Sequence, residues 1–221
     1  MNITKNPLFQ KPQTITLIIA LIFMSIIAFY KYQTGFIKDM FFSTFIITLA
    51  YILFNKLKLN NLTFFLTCFS IMIHNLGAFG LYSTGFLGIP YDYITHFIGL
   101  FTATLIIANL LFGYLGKDTP SKKLPFFLII FIAGLGVGSI IETIEFSGYL
   151  TWGIGEGFFQ FGAGDYGGLE DLNNMQTIVG GGYFDTMEDL IVNSIGSLLA
   201  TTFFALIYYR KNKHKPKNRN L

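Results

Sequence analysis

The chain has 221 residues, of which 52% are hydrophobic, 18% aromatic and only 12% charged, with a net charge of +3 and a mean hydropathy of +0.56. A soluble globular domain carries about 25% charged residues, so the composition excludes an ordinary soluble domain and points to a membrane protein. The single cysteine, Cys68, lies in an apolar run and allows neither an internal disulfide nor a cysteine-rich metal site.

Six apolar segments follow in chain order, near 14–31, 38–54, 62–81, 93–115, 125–149 and 183–209. Each reads as a transmembrane helix, since a ~30 Å hydrocarbon core takes about 20 residues to cross; the second is the shortest for the task. The first follows Lys5 and Lys11 as a signal peptide would, but Lys31, Tyr32 and Gln33 come next instead of a small-residue cleavage motif. It therefore reads as a retained first helix. Connectors 55–61 and 116–124 are short and polar. The stretch 150–182 is long, with ten glycines and the aromatics Trp152, Phe158, Phe159 and Phe161; a loop of that length is usually functional. No repeat and no separate soluble domain is visible, so 1–221 is expected to form one all-α, polytopic membrane helix bundle.

Charge sets an orientation. With six spans, thirteen of the fifteen Lys and Arg fall on one side, and only Lys31 and Lys38 fall opposite. The positive-inside rule makes the majority side cytoplasmic. Both termini are then expected inside and 150–182 outside, in a multi-pass cell-membrane protein. Of the twelve Asp and Glu, only Asp118 lies on the inner side. The basic tail 210–221 follows directly on an apolar helix, so it reads as an anchor to anionic membrane lipids and not as a nucleic-acid patch.

This orientation gathers the ionisable residues. Asp92 and His96 sit four apart, on one face, at the outer end of the fourth span. Glu142 and Glu145 share a face near the outer end of the fifth. Asp185 and Asp189 share a face at the start of the sixth, and Asn193 continues that stripe one turn deeper. Three spans thus bring five carboxylates and one imidazole to similar depth. An ionised group near the bilayer centre costs about 2.5–3.5 kcal/mol on insertion scales, and no Lys or Arg lies within these spans to neutralise the acids. Such a cluster must hold protons or surround a metal. Carboxylates with a histidine suit a divalent ion such as Mg, Mn or Zn, and paired ligands at helical spacing on several helices recur in carboxylate metal proteins.

Other polar residues carry weaker signals. Glu188 points about 100° away from Asp189 around the helix. His74 and Asn75, inside the third span, suit interhelical hydrogen bonds, with His74 as an extra candidate ligand. Gly134 and Gly138 lie within an apolar span without the strand or the Lys-Ser/Thr of a phosphate-binding loop, so they read as a small-residue pair for close helix approach. Asp165, Glu170 and Asp171 do not match a calcium-loop pattern.

The series Tyr91-Asp92-Tyr-Ile-Thr-His96-Phe97, Glu142-x-x-Glu145 and Phe184-Asp185-Thr186-x-x-Asp189-Leu190 resembles the YjdF family of membrane proteins. The stretch Asp189-Leu-Ile-Val-Asn193-Ser-Ile-Gly196 is similar to the end of VanZ-like membrane proteins. The resemblance runs from about Tyr91 to Ala200. It implies a helical membrane fold and treats Asp92, His96, Glu142, Glu145, Asp185 and Asp189 as one functional unit, without implying a reaction. Where that family has a glycine-aspartate before the Asp-Thr element, this chain has Gly180-Gly181-Gly182.

Three function classes fit these residues. The first is a metal-dependent hydrolase or transferase acting at the outer leaflet on a lipid or lipid-linked substrate, with Glu145 and His96 as catalytic groups and the loop 150–182 over the site. The second is a divalent-cation or proton transporter. The third is a non-enzymatic protein whose metal clamps helices. A transport path should continue as polar residues toward the inner side, and Leu105–Leu111 and Leu198–Phe204 offer little beyond Asn109 and two threonines.

Overall fold

The computed structural model describes residues 11–31, 37–115, 123–152 and 181–213. Six long helices dominate them: α1 (Pro12–Lys31), α2 (Ile37–Ile52), α3 (Asn61–Leu76), α5 (Tyr91–Leu115), α6 (Lys123–Trp152) and α7 (Gly181–Lys213), with the single-turn α4 (Leu81–Thr84) between α3 and α5. The fold is all-α, as the apolar periodicity predicts. Four helices contain apolar stretches long enough to cross a membrane, Pro12–Tyr30, Tyr91–Leu115, Leu124–Glu145 and Thr186–Tyr208. The other two, α2 and α3, have 16 residues each. At 1.5 Å per residue they are about 24 Å long, short of a ~30 Å core.

The helices form two groups of three. In the first, α1, α2 and α3 pack on one another. Ala20, Met24 and Ile27 of α1, at helical spacing, meet Met40, Ile47 and Ala50 of α2 and Phe64 and Cys68 of α3 in a buried core. The outward residues of these helices, such as Ile19, Ile22, Phe41 and Phe45, are exposed and apolar, as lipid-facing positions require. Polar groups inside the group find partners across helices: the Asn75 amide donates to Ser43 Oγ at 2.8 Å, and Thr14 Oγ1 shares a hydrogen bond with Tyr51 at 2.9 Å. Asn75 thus takes the interhelical role its sequence position suggests.

The third apolar segment does not run on as one helix to residue 81. The α-helix stops at Leu76, a 3-10 turn covers Gly77–Phe79, and Gly80 adopts φ +93° before α4 begins. Gly77 is required by contact: a Cβ there would fall into the ring of Tyr82. A two-residue turn then reverses the chain, closed by Phe86 N–H to Ile89 O at 2.9 Å and Ile89 N–H to Phe86 O at 3.1 Å. Leu87 and Gly88 both have positive φ, at 53° and 79°, the pattern of a type I′ turn. The turn delivers Pro90 and Tyr91 to the start of α5.

The second group is α5, α6 and α7, with α5 packed most extensively on α7. Glycines set its spacing. A Cβ on Gly196 of α7 would lie 2.7 Å from the Phe97 carbonyl oxygen of α5, so the two backbones are nearly in contact. Gly134 of α6 leaves room for Ser197 and Thr104, which hydrogen-bond at 3.2 Å, and Gly138 leaves room for Asn193. The groups join along α3 and α5, where Asn109 donates to Thr63 Oγ1 at 2.8 Å and accepts from Asn60 at 3.2 Å.

Gly196→Val should therefore force α5 and α7 apart. Overpacking costs about 1–3 kcal/mol, and a backbone oxygen cannot swing aside as a side chain can. A clear fall in thermal unfolding temperature in detergent is expected. Gly136→Ala, where a Cβ meets nothing within 4 Å, should leave that temperature equal or raise it. Equal melting of the two variants would contradict the close approach.

Candidate metal centre

The site is assembled where three apolar stretches end together. Tyr91–Leu115 and Thr186–Tyr208 begin beside it and Leu124–Glu145 finishes in it. The helix α5 supplies Asp92 and His96 from its first turns, α6 supplies Glu142 and Glu145, and α7 supplies Asp189 and Asn193. Helical spacing of four, three and four residues keeps each pair on one face. The helix α5 presents its N-terminal turn, with Asp92 in it, and the free N–H groups there favour negative charge.

His96 stands at the centre. Its Nε2 lies 3.4 Å from Asp92 Oδ1, 3.8 Å from Asp189 Oδ2 and 3.9 Å from Glu145 Oε1. Its Nδ1 lies 3.4 Å from Glu142 Oε1 and 3.2 Å from Asn193 Oδ1. The Asn193 amide in turn donates to Glu142 Oε1 at 3.2 Å. His96, Glu142, Glu145 and Asp189 each offer one ligand atom, and these atoms all lie within 4.8 Å of one another. This buried group could hold a metal ion.

Burial is uneven. The side chains of Asp92, His96, Glu142 and Asp189 are 2–8% exposed, whereas that of Glu145 is 24% exposed. Glu145 is therefore the member of the group most open to its surroundings.

Of the residues singled out in the sequence, Asp92, His96, Glu142, Glu145, Asp189 and Asn193 come together. Asp185 belongs to α7, but its side chain lies outside the described residues, as do residues 153–180 with Asp165, Glu170 and Asp171. His74 does not join as a ligand. Its Nδ1 shares a 2.8 Å hydrogen bond with Tyr82 Oη. Glu188, turned away from Asp189, accepts a hydrogen bond from Tyr93.

Sequence reading passed over Tyr82 and Thr95. Tyr82 donates to Thr95 Oγ1 at 3.5 Å, and Thr95 donates toward Asp92, 2.8 Å to its carbonyl and 3.3 Å to Oδ1. A chain of polar contacts thus links His74 to Asp92. A lone tyrosine in a single-turn helix gives no periodic signal in the sequence.

Fold and site together describe a multi-pass α-helical membrane protein with a buried carboxylate–histidine group at one end of its second helix trio. The chain belongs to the family described as Predicted membrane protein (DUF2238), which it matches over residues 12–210. No curated protein and no solved structure matches it.

Removing the Tyr82 hydroxyl tests the chain that reaches Asp92. Tyr82→Phe keeps the ring over Gly77 and loses the hydrogen bonds, so it should destabilise the protein by about 1 kcal/mol. Gly77→Ala, which displaces the ring, should cost more. Chemical or thermal denaturation in detergent measures both, and a neutral Gly77→Ala would refute the packing.

Proposed function

We propose that this protein binds a divalent cation at the His96 group and uses it for hydrolysis or group transfer on a lipid or lipid-linked phosphate at the outer membrane face. The observation that carries the reading is the contrast within the cluster: three ligand-bearing side chains are sealed, and that of Glu145 is partly open. A site that only clamped helices would need no such opening. A bound divalent ion supplies a Lewis acid for a phosphoryl oxygen and makes water a better nucleophile at neutral pH. His96 and the buried carboxylates hold the cation, and Glu145 is the general base that takes the proton from the attacking water or hydroxyl.

The packing below the site speaks against a transport path. Ser197, Thr201, Thr102 and Thr104 are buried between the helices, more polar groups than the sequence segments suggested. Yet Ser197 donates to the Phe131 carbonyl at 3.1 Å and Gly134 closes directly on it and Thr104. Hydroxyls so tightly wedged serve helix packing.

The orientation completes the proposal: both termini are cytoplasmic, and α2 and α3 cross with the other four helices. The segregation of basic residues supports this. The site then opens outward.

Two experiments test these points. Protein in mixed micelles, given Zn, Mn or Mg, should release phosphate from phosphatidate or a long-chain prenyl diphosphate. Glu145→Gln should keep its bound metal and lose that activity by about 100-fold or more. Metal-loaded protein inactive on both probes, or Glu145→Gln as active as the parent, would remove the enzymatic reading. For topology, Gly164→Cys should react with an impermeant thiol reagent on intact cells, against a low background from buried Cys68. Labelling only after the cells are opened would reverse the orientation.

A further inference from the structure

Within the metal-binding reading, on which this step rests, the ring of His96 divides the cluster in two. Three carboxylates, Asp92, Asp189 and Glu145, face Nε2. Glu142 and Asn193 face Nδ1. From the contacts of Asn193 we infer that it fixes the tautomer of His96, so that Nε2 is the metal ligand and Glu142 is a positioning residue behind the ring, outside the metal's own ligand set.

The argument follows from donors and acceptors. A carboxylate that is ionised only accepts hydrogen bonds. The side of Asn193 that meets Glu142 Oε1, at 3.2 Å, must therefore be its NH2 group. The carbonyl oxygen of Asn193 is then the atom turned to His96 Nδ1, at 3.2 Å. A carbonyl accepts only, so Nδ1 must carry the proton. A neutral imidazole protonated on Nδ1 has its lone pair on Nε2, and a histidine ligand coordinates through the nitrogen that the other nitrogen's hydrogen bond leaves free. That lone pair points into the side with three carboxylates.

The surroundings hold Asn193 to this task. It is buried to 1% exposure, and a Cβ on Gly138 would sit 3.2 Å from its Cβ and Nδ2, so α6 presses directly on the amide. No room is left for a larger side chain on that side. Glu142, also buried, belongs to the same helix as Gly138 and one turn further along. The Glu142–Asn193–His96 series therefore spans all three helices, and each member has one assigned direction of hydrogen bonding. Glu142 lies close enough to the other donors to be counted with them as a ligand, but its Oε1 is already engaged by Asn193. Asp92, absent from that compact set, lies on the Nε2 side and takes the place that Glu142 gives up.

The test uses full-length protein, uniformly 15N-labelled at histidine and loaded with 113Cd, with His74 and His214 assigned by single substitution to Gln. The inference expects cadmium coupling on His96 Nε2 and a proton retained on Nδ1. In parallel, metal affinity is measured by competition with a chelator. Glu142→Gln and Asn193→Leu should still bind one metal, weakened about 10–100-fold as for other partners behind a ligating histidine. Asp189→Asn should lose stoichiometric binding. Cadmium coupled to Nδ1 in the parent overturns the inference even if no variant folds, and so does a Glu142→Gln protein that loses metal as completely as Asp189→Asn. Both results would leave a metal centre standing. A parent protein that takes up no metal at all would instead remove the reading beneath, and this inference with it.

Discussion

Carboxylates at the edge of a hydrocarbon core must be compensated, and that constraint organises the end of the second helix trio where they gather. No Lys or Arg occurs in 91–115, 124–152 or 181–209, so these stretches carry no permanent cation of their own beside the acids of α5, α6 and α7. Removing one partner from a buried charge pair costs several kcal/mol, and four carboxylates around one imidazole form a set that a single proton on His96 cannot neutralise. A divalent cation would supply the missing charge at the point where the ligand atoms converge. The remaining architecture keeps that point small: Gly196 lets α5 and α7 touch, Gly138 lets α6 reach Asn193, and the chain from His74 through Tyr82 and Thr95 holds Asp92 from the side of α3.

Much of this was legible in the residues because it is periodic. Asp92 with His96 and Glu142 with Glu145 read as helix-face pairs from spacing alone, since offsets of three and four put side chains on one face. The depth at which they would meet followed from counting spans. What periodicity could not give was contact chemistry. That Asn193 turns its oxygen to His96 and its nitrogen to Glu142 depends on the rotation of α7 about its axis, which no spacing fixes. Tyr82 was invisible because its role comes from a turn, where side-chain direction follows backbone conformation and not a repeat. The end of α3 at Leu76 was hidden for the same reason. Apolar residues continue to Leu81, and only the close approach of Gly77 to the Tyr82 ring and the positive φ of Gly80 interrupt the helix.

The two helix trios divide the labour of the fold. The α1–α3 group is held by a continuous apolar core with a few cross-helix hydrogen bonds. The α5–α7 group has a small apolar core of Ala108, Phe126 and Ile130 and, toward the site, a seam of Ser, Thr, Asn and Gly. In lipid, where apolar side chains gain nothing by leaving the bilayer for one another, small residues and interhelical hydrogen bonds supply the packing. A polar seam beneath a polar site is the economical arrangement for such a bundle, since helices drawn close enough for Ser197 to reach the Phe131 carbonyl are also close enough for three of them to share one ion.

X-ray absorption at the edge of the bound metal tests the central claim most directly, because it reads the ligand shell itself. With zinc in the parent protein, the account predicts one imidazole nitrogen and several carboxylate oxygens at about 2.0–2.2 Å, and loss of the imidazole signature in His96→Ala but not in His214→Ala. A shell made only of oxygens, or one unchanged by His96→Ala, would contradict it.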